Sequence, residues 1–500
     1  APERLLTDGF LEAIQSRQVS MVTVDEAHCI SQWGQDFRPS YLKIVDFLSI
    51  LPQRPVVSAF TATATERVRQ DVVESLGLQN PVEIVTGFDR PNLRFDVRKP
   101  ARKQEAVLEL VQQRPGKSGI IYCATRKNVE RVCQLLRDRG IPATRYHAGL
   151  SDQERHDNQE DFLYDRAPVM VATNAFGMGI DKSNVSYVIH YNMPQSLENY
   201  YQEAGRAGRD GAAAECILLY SPGDVTTAQY LILHPNGAEE EAATPEQVQA
   251  DWHRLEQMVG YCKTQSCLRG CILDYFGQSH PARCGNCGNC DMVLEERDVT
   301  REAAQLLDCV EHIRQHLGYS LGIVTVVRVL MGSRDKRLLQ LKLDRLPEYG
   351  TLGHVGRERL RRIADALEAQ GCLHTDSEHG GVSLTAESKG VQSQSRRITI
   401  REEAAKPQPL AWTAPADNPE LYNALKALRL RLAQREHMPA YIVFTNATLE
   451  DMARKAPRTM EEFCCVSGVG SAKAQRYGKV FLQAIREFCP EQSQAAPEEP

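Results

Sequence analysis

The sequence is short of several things, and each shortage closes off a class of function. No apolar run approaches the ~18 or more residues that a membrane-spanning helix needs. The opening residues, APERLLTDGF, have neither the charged segment nor the apolar segment of an export signal. Net basic charge is missing: 59 Lys and Arg against 65 Asp and Glu leave −6, so any hold on a polyanion must come from local basic surfaces. No internal repeat marks a solenoid. A phosphate-cradling G-x-x-x-x-G-K-[ST] is also absent. Gly116-Lys117-Ser118 fails that pattern, because the residue five before Gly116 is Val111 and the tripeptide precedes an apolar strand instead of following one. Gly468-Val469-Gly470 with Lys473 fails it too.

What is present describes a multidomain globular chain. An apolar share of 42% and a charged share of 25% are ordinary for a folded protein. At ~100–150 residues per domain, this length predicts three to five domains. Fifteen cysteines without an export signal point to a reducing compartment, with metal-binding or core roles.

Short apolar strands punctuate the first half. VSMVTV (19–24) ends at Asp25, and VVSAF (56–60) runs into TATAT. Two strands are too few for an independent α/β lobe, since a parallel sheet needs cover on both faces. GIIYC (119–123), PATRY (142–146), PVMVAT (168–173), VSYVIHY (185–191) and AECILLY (214–220) alternate with helical segments. Val129, Val132, Cys133, Leu135 and Leu136 share one face of the first of those helices. This alternation predicts a mostly parallel sheet with helices on both sides. The second half reads as helices, a short hairpin, a Pro/Ala-rich linker near 406–419 and a last helical stretch from 420 to 488.

Several clusters carry chemistry. Asp25 and Glu26 sit at the carboxyl end of a buried strand, where open α/β sheets bind ligands. There an Asp holds Mg²⁺ through water and a Glu orients the attacking water. A bare Asp-Glu pair is more often a solvated acidic turn. Here, however, His28, Trp33, Phe37 and Arg38 follow in one loop, and aromatics beside Arg suit base stacking and phosphate contact. Alone, the same aromatics would make a small satellite core. Thr61 and Thr63, after the second strand, suit a relay between nucleotide and nucleic acid, or a simple helix cap. In ATNAFGMGID, Gly177 and Gly179 permit close backbone approach and Asp181 suits a ribose. In QEAGRAGRDG, Gln202 and Glu203 end a helix, and the spacing of Arg206 and Arg209 aims both into one crevice. Arg suits γ-phosphate charge, although two Arg alone also make a surface salt-bridge face.

Cys267, Cys284, Cys287 and Cys290 form C-x16-C-x2-C-x2-C. Four thiolates with two short spacings suit tetrahedral Zn²⁺, ahead of buried free thiols or an iron–sulfur cluster. Cys271 and Cys262 lie close enough in sequence to exchange with a ligand.

Taken together, the strings DEAHCISQWG-DFRP, TATAT, FDRPNL, IIYCATRKNVE, YHAGL, GMGIDK and Y-QEAGRAGRDG resemble the RecQ family of superfamily 2 DNA helicases. The likeness covers the whole chain except its tail. One departure is Gln35, where the family usually has His. CLRGCILDYFG with CGNC-x2-C resembles that family's zinc subdomain, GRERLRRIADALEAQG lies in a stretch resembling its winged helix, and residues 418–488 resemble its HRDC module.

The resemblance implies an α/β multidomain fold. Residues 1–95 would be the C-terminal part of a first RecA-like lobe and 96–225 a complete second lobe. A zinc-binding subdomain would fill 226–297, a winged helix 298–395, a linker 396–417 and a helical HRDC bundle 418–488. The tail, 489–500, is too polar to pack. It also implies an ATP-dependent 3′→5′ DNA helicase of recombination and repair, with structural Zn²⁺, and with Mg²⁺ and ATP between the lobes. Single-stranded and duplex DNA would be its partners, a single-strand DNA-binding protein a further one, in a bacterial-type cytoplasm at the nucleoid. Catalysis would fall to Asp25, Glu26, His28, Arg206 and Arg209, and nucleotide binding to Gly177, Gly179, Asp181 and Gln202. DNA contact would fall to Trp33, Phe37, Arg38, Thr61, Thr63, the hairpin-tip His379 and Lys473. With no phosphate loop, the chain reads as starting midway through its first lobe, and as given it is expected to lack ATPase activity. The competing reading is a DNA-binding protein without catalysis, using its zinc, winged-helix and HRDC parts. An RNA-directed helicase is a third reading, disfavoured by the zinc and winged-helix combination.

Overall fold

The computed structural model describes residues 2–15, 17–31, 38–177, 182–234, 245–292, 294–376, 380–403 and 418–488. Two compact units result: residues 292–411 form one, and the chain before and after them forms the other.

In the first unit, β1 (Met21–Val24) pairs in parallel with β2 (Val56–Ala59). Helices Leu42–Ile50 and Glu66–Ser75 cover this pair through Ile44, Leu48, Val68 and Val72. On the other side Met21, Val56 and Phe60 stay more than half exposed, which is the shortage of cover expected of two strands.

The second sheet has six parallel strands. They are β3 (Leu93–Arg98), β4 (Gly119–Tyr122), β5 (Ala143–Tyr146), β6 (Val169–Ala172), β7 (Tyr187–His190) and β8 (Ala214–Leu219), ordered β3-β8-β7-β4-β6-β5. Alternate residues of the inner strands enter different cores. Ile120, Tyr122, Met170 and Val188 face helices Leu197–Ala204 and Pro245–Lys263, whereas Ile121, Val171 and Ile189 face Lys103–Gln112 and Arg126–Asp138. Of the predicted helix face, Val129, Val132, Cys133 and Leu136 are buried and Leu135 is partly so.

Strand β3 lies where the sequence pattern marks no strand, and the expected junction at 95/96 falls inside it. LRFDVR alternates apolar and charged residues because β3 is an edge strand, half solvated even within a parallel sheet. Gly119 starts the central strand where a Cβ would stand 2.1 Å from the Tyr187 ring. Gly119→Ala is expected to destabilise this lobe by about 3 kcal/mol. A shifted midpoint in urea denaturation followed by circular dichroism would show it, and an unchanged midpoint would refute it.

The helices at 245–263 and 268–275 and the cysteine knuckle share the core of the six-stranded sheet. The C-terminal bundle (Pro419–Arg435, Ala440–Val443, Asn446–Lys455, Met460–Cys464, Ser471–Phe488) closes around Phe444, Phe463 and Phe481. It lies against the same lobe: Lys426 Nζ donates to the Gly116 carbonyl at 2.8 Å, and the Tyr441 ring lies 5.9 Å from Lys182 Nζ. Gly116 thus serves a turn at the entry of β4, consistent with rejecting it as a phosphate cradle.

In the second unit, β9 (Leu294–Asp298) pairs antiparallel with β12 (Thr399–Glu403); β9 crosses the expected edge at 298, and β12 lies within the segment 396–417 expected as a linker. β10 (Leu373–Thr375) and β11 (Val382–Leu384) form the predicted hairpin. Gly380, at φ 66°, turns the chain back there, and His379 lies outside the described residues.

Candidate functional site

The first half of the site grows from the carboxyl ends of β1 and β2. β1 ends at Val24, and Ala27–Ile30 form a 3-10 turn. Between them Glu26 adopts a left-handed backbone, φ 49° and ψ 43°. For a residue other than glycine this costs on the order of 1–3 kcal/mol and persists only where the surroundings impose it. Phe60 N–H donates to the Val24 carbonyl at 2.8 Å and Ala27 N–H to the Phe60 carbonyl at 2.9 Å, pinning both flanks. Glu26 N–H donates to Asp25 Oδ1 at 2.9 Å, and Tyr41 Oη donates to the Asp25 carbonyl at 3.3 Å. Burial, then the Cys29 thiol and the Glu26 and Asp25 carboxylates, push the Tyr41 hydroxyl up to about 12, so it stays a donor at neutral pH.

Asp25 is exposed and Glu26 half-buried. His28 is buried, with Nδ1 2.9 Å from Thr61 Oγ1 and 3.4 Å from Glu26 Oε2. The His28 ring therefore lies between the Glu26 carboxylate and the segment after β2. Thr63 is buried, and its N–H donates to Thr61 Oγ1 at 3.3 Å. Arg38 is held through its N–H on the Cys29 carbonyl at 2.9 Å. Trp33 and Phe37, like Gln35, lie outside the described residues.

The second half sits on the six-stranded sheet. Ser196 caps the helix Leu197–Ala204, accepting from Asn199 N–H at 3.1 Å, and that helix ends just past Gln202 and Glu203 as expected. His190 Nε2 lies 2.8 Å from Glu203 Oε2. Arg206 is 8% exposed, and its Nη1 donates to the Gly177 carbonyl at 2.5 Å, while Tyr122 Oη donates to the Phe176 carbonyl at 2.9 Å. Arg209 is exposed. The helix has ended before Arg206, so both arginines lie on the loop that follows it, Arg206 buried and Arg209 exposed. Gly177 is placed at the mouth of its loop; Gly179 and Asp181 lie outside the described residues.

A third constellation is metal-like. The sulfurs of Cys267, Cys284, Cys287 and Cys290 all lie within 4.8 Å of one another. Gly270, Asn286 and Cys290 N–H groups donate to Cys267, Cys284 and Cys287 Sγ at 3.3 Å each, which suits thiolate. Burial pushes the Cys267 and Cys287 thiols up. Cys290 is drawn down against its burial by Gly285 N–H and the neighbouring thiols. A dication would resolve this crowding, and the donor set fits Zn²⁺. Cys262 is buried in the apolar core and Cys271 Sγ contacts Thr264 Oγ1 at 4.0 Å, so neither joins the cluster.

Elsewhere, Arg357, Arg361 and Arg362 are exposed on the helix Arg357–Ala369, as a phosphate-binding face requires. Lys473 Nζ lies 5.7 Å from the Phe444 ring centre, and burial lowers its pKa. Sequence reasoning missed roles for Arg90, Asn92, Arg269 and Asn286, whose side chains all bind backbone carbonyls. FDRPNL stood out as a string, but nothing local says what its side chains hold.

Comparison with known proteins covers nearly the whole chain. A DEAD/DEAH box helicase model matches residues 1–72, and a helicase conserved C-terminal domain matches 102–211. RecQ zinc-binding matches 222–291, the RQC domain 294–409 and the HRDC domain 418–485. The ATP-dependent DNA helicase RecQ of Bacillus subtilis is 40% identical over 97% of this chain and 80% of its own length. Its namesake from Pasteurella multocida is 36% identical over 97% and 76%. That from Haemophilus influenzae is 35% identical over 97% and 78%.

Proposed function

Because this chain belongs to the RecQ family of ATP-dependent DNA helicases, we propose a division of labour among its residues for ATP-driven unwinding of duplex DNA. ATP and DNA are its partners, and a structural zinc ion is its resident metal. Cys267, Cys284, Cys287 and Cys290 would hold that ion in a closed tetrahedral set, leaving no coordination position for chemistry.

In the motor, Asp25 would hold Mg²⁺, which when bound would supply charge neutralisation at the phosphates, and Glu26 would orient the attacking water. Arg206, whose guanidinium donates to the Gly177 carbonyl, and Arg209 stabilise γ-phosphate charge. Gln202, Gly177, Gly179 and Asp181 complete the nucleotide side. Arg38, Thr61 and Thr63, with Trp33 and Phe37, meet the single strand, and His379 meets the duplex end. The strand is followed 3′→5′, in recombination and repair, beside single-strand DNA-binding protein at the nucleoid of a bacterial-type cytoplasm. Among the described residues no helix is long and apolar enough to cross a membrane.

The observation that carries this reading is His28, set between Glu26 and Thr61. It supports a direct link from strand contact to the water-orienting carboxylate. The test uses protein expressed from the full coding sequence. It is expected to displace strands from 3′-tailed and not 5′-tailed duplexes. His28→Ala is expected to keep DNA binding while lowering DNA stimulation of ATP turnover at least ~10-fold. Undiminished stimulation would remove His28 from the relay.

A further inference from the structure

Residues 88–93, FDRPNL, lie between the arginine loop and the cysteine knuckle and bind both. Toward the loop, Arg90 Nη1 donates to the Gly205 carbonyl at 3.3 Å, and Nη2 donates to Ala207 and Gly208 at 3.1 and 2.9 Å. Asn92 Nδ2 donates to the Gly208 and Ala212 carbonyls at 2.9 and 2.8 Å. These carbonyls bracket Arg206 and Arg209. They follow the end of the helix Leu197–Ala204, where backbone acceptors lose their helical partners and a cation is favoured. The approach is close: a Cβ on Gly208, at φ 55°, would lie 2.5 Å from Asn92 Nδ2.

Toward the knuckle, Arg269 is 6% exposed and donates to Asp89 Oδ1 at 2.6 Å and to the Arg90 carbonyl at 2.7 Å. It also donates to the Pro91 and Leu93 carbonyls. Asn286, between Cys284 and Cys287, donates to Pro91 and Leu93 at 3.1 and 3.4 Å. Phe95 and Cys287 form a backbone bridge, and a Cβ on Gly288 would stand 2.4 Å from Asp96 Oδ1. The knuckle is therefore seated on the strand that FDRPNL enters.

We propose that Arg90 is a positioning residue for the arginine loop, and that the zinc knuckle holds Arg90 in place through Arg269 and Asn286. The catalytic consequence rests on the reading of Arg206 and Arg209 above; the structural consequence does not. A guanidinium spans three carbonyls at once, whereas an ammonium at the same place reaches fewer. Loop order is thus graded by the side chain at 90.

Hydrogen–deuterium exchange on the 500-residue chain tests the structural part. Arg90→Ala is expected to speed exchange of amides in 205–212 at least ~10-fold, the size of one charged hydrogen bond lost. Arg90→Lys is expected to fall between, with amides of β4 and β7 unchanged and bound zinc unchanged. Chelation of zinc is expected to loosen 205–212 likewise while β4 stays protected. If Arg90→Ala loosens the whole lobe, Asn92→Ala and Arg90→Lys decide the matter, by loosening 205–212 selectively or not. Unchanged protection of 205–212 in these variants overturns the proposal, as does zinc removal that leaves the loop untouched.

In protein from the full coding sequence, Arg90→Ala is expected to lower kcat roughly 100-fold with KM for ATP little changed, the signature of a misplaced group. If Arg206→Ala and Arg209→Ala leave kcat intact, the γ-phosphate reading fails, and the exchange result still judges Arg90.

Discussion

Protein purified without chelator is expected to carry about one zinc ion per chain, and Cys287→Ser is expected to lose both the ion and the fold around it. Structural zinc sites contribute apparent binding energies of roughly 10–16 kcal/mol, larger than the net stability of most domains. Cys287 is the sharpest probe because it is fully buried in the core that also holds Phe95, Leu268 and Ile272. Its loss removes a ligand and opens the seat of the knuckle on β3. Elemental analysis gives the stoichiometry. Limited proteolysis should show cleavage between 264 and 291 in the variant and after chelation, with the six-stranded sheet resisting longer. Absence of metal from carefully purified protein, with Cys287→Ser as stable as the parent, would sink the four-cysteine assignment.

The 500-residue chain is expected to show no DNA-stimulated ATP hydrolysis. The Asp25–Glu26 pair and the arginine loop are present, yet the backbone amides and Lys that cradle the β- and γ-phosphates have no counterpart in these residues. Positioning and charge stabilisation supply nearly all of phosphoryl-transfer catalysis, and a single arginine finger alone is worth ~10³–10⁵ in rate. Loss of the whole cradle is thus expected to bring turnover to background. DNA binding is expected to survive, carried by Arg357, Arg361 and Arg362, and to weaken steeply with salt as counterion release requires. A phosphate-release assay with and without single-stranded DNA measures the first, and a salt series in fluorescence anisotropy the second. Robust turnover abolished by Glu26→Gln would refute the expectation, since the carboxylate would then be working without the loop.

Much of this protein is decided by short stretches of chain. The C-x16-C-x2-C-x2-C spacing brings three of four thiols together within seven residues, so local geometry nearly completes the cluster. The apolar runs at 119–122, 169–172 and 187–190 became central strands because they are buried on both faces, where a polar side chain such as His190 needs a partner and finds one in Glu203. The edge strand β3 carries no such run for the converse reason: its alternating charges reflect half-solvation, which only the strand order reveals.

Side-chain partnership across long separations was decided by the tertiary structure alone. Arg90 and Gly208 are 118 residues apart, and nothing in FDRPNL names the carbonyls its guanidinium will meet. Arg206 and Arg209 look equivalent in sequence, yet one is buried on Gly177 and the other exposed, because the helix beneath them stops at Ala204. Residue type and spacing determine what chemistry a chain can offer. Which donor meets which acceptor depends on where elements end and how closely their backbones approach, and the packed fold settles both.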